Sequence, residues 1–363
     1  MSFLHEHWAK NHILSRDAAL FRWQYEAKLR DGREDAPTVL LAWRCNKIVG
    51  MLGLTFMRWL QEGLTYTGAW SSHWFVVPEL RTSPLSLLLI REASRLGIEV
   101  LGTVGTTSHS SSILRARGYD WIPEIPRWVG IIDQTSTATL LLASGIPASQ
   151  RDEVTSFCQE RVVRHTHAAS HAEDWQIVEW SDKLGDEWDV CWNRSAARGF
   201  VGVIRNAAYL RWRYARHPRF KYEIRLARHC SSGVGGLLVF RLETVRGRTE
   251  QVARICELLT EGPDATNSLL SRFVGDARQA GISFADFYCS KPIQGLSEAG
   301  FNIERTLTDP FTLPSRLQPV EQGGRPLNSA IRFPASLRGS LEDAVARGAL
   351  YLTKSDGDQD RPN

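Results

Sequence analysis

The 363-residue sequence has no apolar run that reaches the roughly 18 residues of a membrane-spanning helix. Its first residues include His5, Glu6 and His7 and no apolar core, a pattern that is not typical of a secretory signal. The six cysteines form no Cys-x-x-Cys pair, and none stands at metal-ligand spacing from a histidine. We therefore expect a cytoplasmic protein with reduced thiols and no bound metal.

The sequence also lacks a strong charge of either sign. Its 44 lysines and arginines exceed its 40 acidic residues by a formal net charge of +4. This excess is too small to indicate nucleic-acid binding, but it suits a small polyanion such as a coenzyme or a nucleotide. With 43% hydrophobic residues, the chain has enough apolar material for two globular domains.

What the sequence does contain is an internal repeat. The segment Ala18–Tyr25 reads AALFRWQY, and Ala207–Tyr214 reads AAYLRWRY. Each segment precedes two apolar strands, a third strand, a helix, a further strand and a turn with a glycine before an aromatic residue. This shared order predicts an α/β (α+β) protein of two tandem domains, each a mixed, mostly antiparallel sheet flanked by helices.

The predicted elements can be given as ranges. The first half has strands at 38–43, 48–54, 74–77 and 100–104 and a helix at 86–96. The second half has strands at 222–227, 235–240, 253–259 and 284–288 and a helix at 267–280. The predicted boundaries are 1–145 for the first domain, 146–160 for a turn-rich linker, 161–340 for the second domain and 341–363 for a tail whose end frays. Three histidines beyond the linker, His165, His167 and His171, are interpreted as surface residues.

The strongest family resemblance lies after the predicted central strand. Val76 to Ser86 reads VVPELRTSPLS and leads into a helix, and the glycine–aromatic turns are Gly118-Tyr119 and Gly300-Phe301. With the order of elements, these segments resemble the GNAT superfamily of acyl-coenzyme A transferases. In that family the central strand ends in a Val-x-Pro-like segment, and a loop with two glycines opens the next helix. Both loop glycines are absent here.

The resemblance implies acetyl-coenzyme A or another short acyl-coenzyme A as the cofactor. A helix N-terminus offers N–H groups and a positive dipole end to a pyrophosphate, and Arg81 adds a fixed charge. A plain helix cap by Thr82 or Ser83 is the alternative interpretation. The candidate cofactor-binding residues are Phe75, Val76, Val77, Arg81, Thr82, Ser83, Leu85, Ser86, Thr106, Ser108 and His109.

The second half departs from this pattern, because Glu261 and Asp264 stand where phosphates would bind. We therefore expect the first half to bind the coenzyme and the second half to form a wall of the acceptor site.

Catalysis in this family implies a backbone N–H near Phe75 to Val77 that polarises the thioester oxygen, where the central strand splays from its neighbour. His73 is the candidate base, since an imidazole with an ordinary pKa near 6.5 takes up a proton at neutral pH. Strand alternation places His73, Phe75 and Val77 on one face. His109 is a second candidate, and a hydrogen-bonded structural His73 is the alternative.

Among GNAT groups, the Trp-x-Tyr segments resemble most the N-acyltransferases of nucleotide-linked amino sugars in polysaccharide biosynthesis. Arginine guanidinium groups can bind the diphosphate of such a substrate, and aromatic rings can stack on its nucleotide base. The candidate acceptor-binding residues are Arg22, Trp23, Tyr25, Trp70, Arg211, Trp212, Tyr214, Tyr288 and Lys291. Core packing of the tryptophans, a protein- or aminoacyl-directed acyltransferase and a non-catalytic GNAT-fold binding module are the alternatives.

Overall fold

The computed structural model describes residues 1–8, 10, 12–25, 36–163, 174–305, 308–317, 320–321, 326–337 and 339–360. The three histidines His165, His167 and His171 lie outside these described residues. Within the described ranges, no helix combines the length and the apolar character needed to cross a membrane.

The strands are numbered along the chain. Strands β1 to β6 are Val39–Arg44, Lys47–Gln61, Leu64–Val76, Val100–Val104, Asp120–Ile122 and Arg127–Ile131. Strands β7 to β12 are Trp175–Glu179, Val201–Val203, Glu223–His229, Gly233–Thr244, Gln251–Thr260 and Ile282–Tyr288. Strands β13 to β17 are Asn302–Ile303, Arg316–Leu317, Val320–Glu321, Ser329–Arg332 and Leu350–Tyr351.

The α-helices are numbered in the same way. Helices α1 to α5 are Ile13–Arg16, Ala18–Tyr25, Leu85–Arg95, Ser108–Ala116 and Gln134–Ala143. Helices α6 to α10 are Arg151–Glu160, Asp182–Ala196, Ala207–Leu210, Pro263–Gln279 and Ser340–Ala346. Single π-helical turns occur at Leu4–Trp8 and at Arg211–Ala215, where the second one continues α8.

The two halves build their sheets in the same order. In the first half β1, β2 and β3 are antiparallel neighbours, and β4 pairs parallel to β3 after the crossover helix α3. In the second half β9, β10 and β11 repeat this arrangement, and β12 pairs parallel to β11 after α9. The predicted fold class is confirmed. Several predicted elements are longer than expected: β2 ends at Gln61, β3 begins at Leu64, β10 ends at Thr244 and α9 begins at Pro263.

The turns follow the local sequence. Cys45 and Asn46 join β1 to β2 with φ angles of 47° and 60°, as the tight hairpin turn requires. Gly118 and Gly300 have φ angles of 76° and 87° in the two glycine–aromatic turns. A side chain is strained in this left-handed region, so glycine at both equivalent positions supports the internal repeat.

Each sheet also contains strands from the other half of the chain, since β8, β16 and β17 join the first sheet and β6 joins the second. Strand β16, from the C-terminal half, lies between β4 and β5 and pairs antiparallel with both. Strand β6, from the N-terminal half, lies between β12 and β13 and pairs antiparallel with both. The first sheet has the order β17-β8-β2-β3-β4-β16-β5, with β1 also paired to β2, and the second has the order β13-β6-β12-β11-β10-β9-β7.

The hydrophobic core is continuous across the two halves. One buried cluster contains Trp59 of β2, Trp188 of α7 and Leu238 of β10, so that both sheets contribute to it. Burying aromatic and aliphatic side chains from both halves together stabilises their association through the hydrophobic effect. The pocket described below lies within this shared region.

The C-terminal segment, residues 353–360, is packed against the rest of the chain with every residue buried or half-buried, so the expectation of a frayed tail is wrong for these residues. Both carboxylate oxygens of Asp356 accept hydrogen bonds from Arg205 at 2.8 Å, and Asp360 accepts one from Arg213 at 2.7 Å. The Asp360 carbonyl oxygen also accepts from Arg241. Arginines of the second half thus neutralise carboxylates that the sequence pattern assigned to solvent.

Candidate functional site

The central strand β3 contains a β-bulge at His73. The register shift places His73 and Trp74 opposite the single residue Leu52 of β2. His73 has a φ angle of 50°, in the left-handed region that is costly for a residue with a side chain. Bulges of this kind re-aim side chains and are enriched next to active sites.

Beyond a short paired stretch, β3 separates from β4. The last paired residues are Trp70 and Gly102, and the rest of β3 has no paired strand on that side among the described residues. On its other side, the Val77 N–H donates to the Val49 carbonyl oxygen at 3.0 Å. Because N–H directions alternate along a strand, the Val76 N–H faces the gap between β3 and β4.

The corresponding strands of the second half remain paired up to their register shift. Strand β11 also has a register shift, opposite the Val239–Phe240 step of β10. Its parallel pairing with β12 continues to Ile255 and Phe287, next to that shift. Beyond this shift, residues 256–260 of β11 have no paired strand on that side among the described residues, so the second sheet differs in staying paired closer to its register shift than the first sheet does.

The N-terminus of α3 borders the gap of the first sheet. The indole N–H of Trp74 donates to the Ser86 carbonyl oxygen at 3.2 Å, and Arg81 Nε donates to the Val76 carbonyl oxygen at 3.3 Å. The guanidinium of Arg81 is exposed and lies 5.2 Å from the ring centroid of Phe75. The exposed guanidinium of Arg81 therefore lies between the end of β3 and the start of α3, where its N–H groups can bind an anion.

Backbone donors are available in the same place. The first main-chain bond of α3 runs from the Leu88 N–H to the Pro84 carbonyl oxygen, so the N–H groups of Ser86 and Leu87 precede the helical ladder. Ser83 Oγ donates to the Leu80 carbonyl oxygen at 2.6 Å and accepts only a long bond, 3.4 Å, from the Leu85 N–H. Such a helix end can hold an anion.

The second predicted cofactor segment is arranged differently. The N–H and hydroxyl of Thr106 both donate to Asn328 Oδ1 at 2.8 Å, so this threonine is bound to the second half of the chain. Thr107 caps α4, and Ser108 and His109 are exposed in its first turn.

His73 is enclosed by side chains from three parts of the chain. Its Nδ1 atom lies 2.6 Å from the Tyr25 hydroxyl oxygen and 3.7 Å from Asp358 Oδ2. The rings of Trp8 and His12 each lie 5.1 Å from the His73 ring. The His73 side chain is 1% exposed, whereas that of Asp358 is 18% exposed. A ligand outside this cluster thus meets Asp358 before it meets His73.

A pocket lies between the halves on this face of the first sheet, with about 440 Å³ of empty space that is partly open to solvent. Three predicted acceptor residues, Trp23, Trp70 and Trp212, line it. The other lining residues are Gln24, Thr55, Phe56, Met57, Val203, Tyr209, Arg213, Ser355, Asp356, Gly357 and Asp358.

The remaining predicted acceptor residues lie outside this lining. Arg22 is exposed, Arg211 pairs with Asp182 at 3.0 Å, and Tyr214 donates to Glu257 at 2.6 Å in the interior of the second half. Tyr25 supports His73, and Tyr288 and Lys291 lie at the end of β12.

Sequence reasoning missed Arg213 and Asp358. Arg213 stands between two residues that were singled out, Trp212 and Tyr214, in the position that Gln24 holds in the first repeat. Asp358 belongs to a run with an aspartate at every second residue, Asp356 to Asp360, which by composition is typical of a solvated end.

Structural relatives support the fold assignment. A GCN5-related N-acetyltransferase from Anabaena variabilis superimposes with a TM-score of 0.50 and 16% identity, over 82% of this chain and 63% of that one. The chain has the GNAT fold. Saccharomyces cerevisiae N-myristoyltransferase with bound myristoyl-CoA matches with a TM-score of 0.52 and 10% identity, over 91% of this chain and 74% of that one.

The chain therefore spans less than two thirds of the Anabaena protein. No protein-family model and no curated protein sequence matches it.

Proposed function

We propose that the protein is a cytoplasmic acyl-coenzyme A-dependent N-acyltransferase that acts on the amino group of a nucleotide-linked amino sugar. The observation that carries this proposal is the gap between β3 and β4, into which the Val76 N–H is turned. The gap has the N-terminus of α3 at its border and, on the face of β3 that carries His73, a pocket between the halves. Two reactants can thus approach one point from opposite faces of the sheet.

The donor occupies the side of α3. Its pyrophosphate is held by the N–H groups of the first turn of α3 and by Arg81. Its thioester oxygen accepts a hydrogen bond from the N–H of Val76. Pro84 removes one N–H donor from the loop, and Ser86 replaces a family glycine, so Arg81 supplies a larger share of the phosphate binding. The N-acetyltransferase and N-myristoyltransferase relatives support an acyl-coenzyme A donor.

The acceptor occupies the pocket. Its ammonium group loses one proton to the pair formed by Asp358 and His73, and the freed amine attacks the thioester carbon. A C–N bond forms, the C–S bond breaks, and the coenzyme thiolate leaves and takes up a proton. The stacked Trp23 and Trp212 offer an aromatic face to the base of a nucleotide.

Acetyl-coenzyme A binding, measured by isothermal titration calorimetry, tests the donor site. Arg81→Ala should weaken binding at least tenfold, because it removes the charge at the phosphates. Arg95→Ala is the matched control, since Arg95 ends the same helix and pairs with Glu92 on the exposed surface. Absence of any acetyl-coenzyme A binding by the unchanged protein would favour the non-catalytic binding module.

A free-thiol assay over a panel of acceptors tests the reaction. Amino sugar nucleotides should release coenzyme A and give the N-acyl product. Turnover that is confined to peptides or aminoacyl esters would overturn the amino sugar assignment and favour the protein- or aminoacyl-directed alternative.

A further inference from the structure

The pocket between the halves contains buried donors that have no acceptor among the described residues. These donors are Trp70 Nε1, Trp212 Nε1 and Arg213 Nη1, and all three residues line the pocket. An unpaired buried N–H group is costly, and most buried polar groups in proteins have partners. Three residues that line one cavity thus each carry an unpaired donor, a requirement that the oxygen atoms of a ligand would satisfy.

Arg213 is held in a fixed orientation by its other nitrogen atoms. Its Nη2 donates to Asp360 Oδ1 at 2.7 Å and to the Ser355 carbonyl oxygen at 3.1 Å. The guanidinium is planar, so anchoring Nη2 also fixes the direction of Nη1. The pocket therefore presents a cationic donor whose position does not depend on the ligand.

A carboxylate faces the same pocket. Asp356 and Asp360 are bound by Arg205 and Arg213. Asp358 between them accepts a hydrogen bond from the Gln359 side chain at 2.9 Å and lies beside His73 of the first half. Asp358 is the member of this run that is positioned at both the pocket and the bulge.

The residues on both sides of Asp358 are packed against the first sheet. A Cβ atom added at Gly357 would lie 3.1 Å from the Val104 side chain, and one added at Gly105 would lie 2.8 Å from the Gln359 side chain. The segment thus spans from the end of β4 to the bulge of β3. This close packing holds the Asp358 carboxylate in place.

We infer that this pocket binds a primary amine that also carries an anionic oxygen group. The ammonium binds Asp358, and the anionic oxygens accept from Arg213, Trp70 and Trp212. This inference rests on the proposed function and specifies how the acceptor is held there. A phosphate and a carboxylate share the required chemistry, so the anion comes from a phosphosugar or nucleotide, or from an amino acid.

Binding in the absence of any acyl donor tests this inference, with calorimetry on the full-length protein. The probes are glucosamine 6-phosphate, which has both groups, glucose 6-phosphate, which lacks the amine, glucosamine, which lacks the anion, and L-serine, which carries a carboxylate. Glucosamine 6-phosphate or L-serine should bind at least tenfold more tightly than glucose 6-phosphate and glucosamine. Preference between the first two probes identifies the source of the anion.

Three variants assign the contacts. Asp358→Asn should weaken binding of the preferred amine at least tenfold and leave binding of glucose 6-phosphate unchanged, since it removes the charge that meets the ammonium. Trp212→Phe should weaken binding of both the preferred amine and glucose 6-phosphate, because it removes an N–H donor and keeps an aromatic ring. Trp43→Phe is the matched control and should change neither, since Trp43 is exposed on β1 and lies outside the lining of the pocket.

Equal binding of glucosamine 6-phosphate and glucose 6-phosphate, or an unchanged amine affinity in Asp358→Asn, would overturn the inference. Thermal unfolding of each variant shows that a loss of binding does not come from a loss of folding. The acetyl-coenzyme A titration is independent of these measurements. A protein that binds acetyl-coenzyme A but none of the amines keeps its donor site and contradicts only this inference.

Discussion

Trp23 and Trp212 occupy the same position of the internal repeat and stack on each other, with ring centroids 5.2 Å apart and planes inclined by 20°. The indole N–H of Trp23 also donates to the Trp212 carbonyl oxygen at 3.1 Å. In a two-fold symmetric dimer, a residue close to the axis meets its own equivalent in the partner. The two repeats of this chain meet in the same way.

This stack should contribute measurably to stability. Trp23→Ala is expected to lower the free energy of unfolding by about 2 to 3 kcal/mol, because a half-buried indole and its hydrogen bond are both lost. Trp43→Ala is the control, since Trp43 is 63% exposed, and it should cost less than about 0.5 kcal/mol. Urea unfolding followed by circular dichroism measures both. Equal costs would show that the stack does not hold the halves together.

The buried pair of Asp356 and Arg205 should be sensitive to removal of one partner. Both side chains are fully buried, so Asp356→Ala leaves the Arg205 charge without one of its two carboxylates. We expect a loss of about 3 kcal/mol in the free energy of unfolding. Asp186→Ala removes a carboxylate that is 85% exposed and should cost about 0 to 1 kcal/mol. A small effect of Asp356→Ala in the same unfolding assay would contradict a stabilising role of the buried Asp356–Arg205 pair.

Lys354 should make stability depend on pH. Burial lowers the pKa of Lys354 to about 7 from its ordinary 10.5, and Arg254 acts in the same direction. Between these two pKa values the unfolded chain binds more protons than the folded one, so the stability of the unchanged protein rises with pH. Below pH 7 both states are protonated and the full penalty is present. The other groups around this amine are Arg127, Arg241, Asp286 and Tyr288.

Lys354→Met should therefore stabilise the protein most near pH 6 and progressively less as the pH approaches 10. Thermal unfolding at a series of pH values measures the difference from the unchanged protein. Lys47→Met, at an exposed position of β2, is the control and should give a difference that does not vary over this range. A constant difference for Lys354→Met as well would refute a depressed lysine pKa.

The bulge at His73 should prefer glycine over alanine. At a φ angle of 50° an alanine keeps the steric cost of the left-handed conformation, whereas glycine does not, so His73→Gly should be about 1 kcal/mol more stable than His73→Ala. Both variants lose the same side-chain contacts. At Ser72 the order should be reversed by about 0.5 to 1 kcal/mol in favour of alanine. The same order at both positions would argue against the bulge.

Much of the fold was predictable because the sequence signals of the repeated elements lie within single short segments. The hydrophobic periodicity of single segments predicted the elements of both halves, including β4 and α9. The glycine–aromatic turns at Gly118 and Gly300 mark equivalent backbone positions. The exchange of β6 and β16 was not predictable, since both strands are short and nothing within them specifies which sheet they join.

The site was predicted only in part for a related reason. The tryptophans of the pocket could be found because the repeat drew attention to Trp23 and Trp212. Asp358 could not, since its role depends on arginines far away in the chain that bind its neighbours, Asp356 and Asp360. Composition alone therefore assigned a buried, charged segment to solvent.

The strand exchange also affects how the chain is made on the ribosome. Strand β4 pairs with β16, where Thr103 and Ser329 lie 226 residues apart. At typical rates of synthesis, β4 waits on the order of tens of seconds before its partner emerges. During this time the first sheet has an open edge that can pair with other chains. The N-terminal half of the nascent chain therefore remains exposed to edge-to-edge pairing until the C-terminal half emerges.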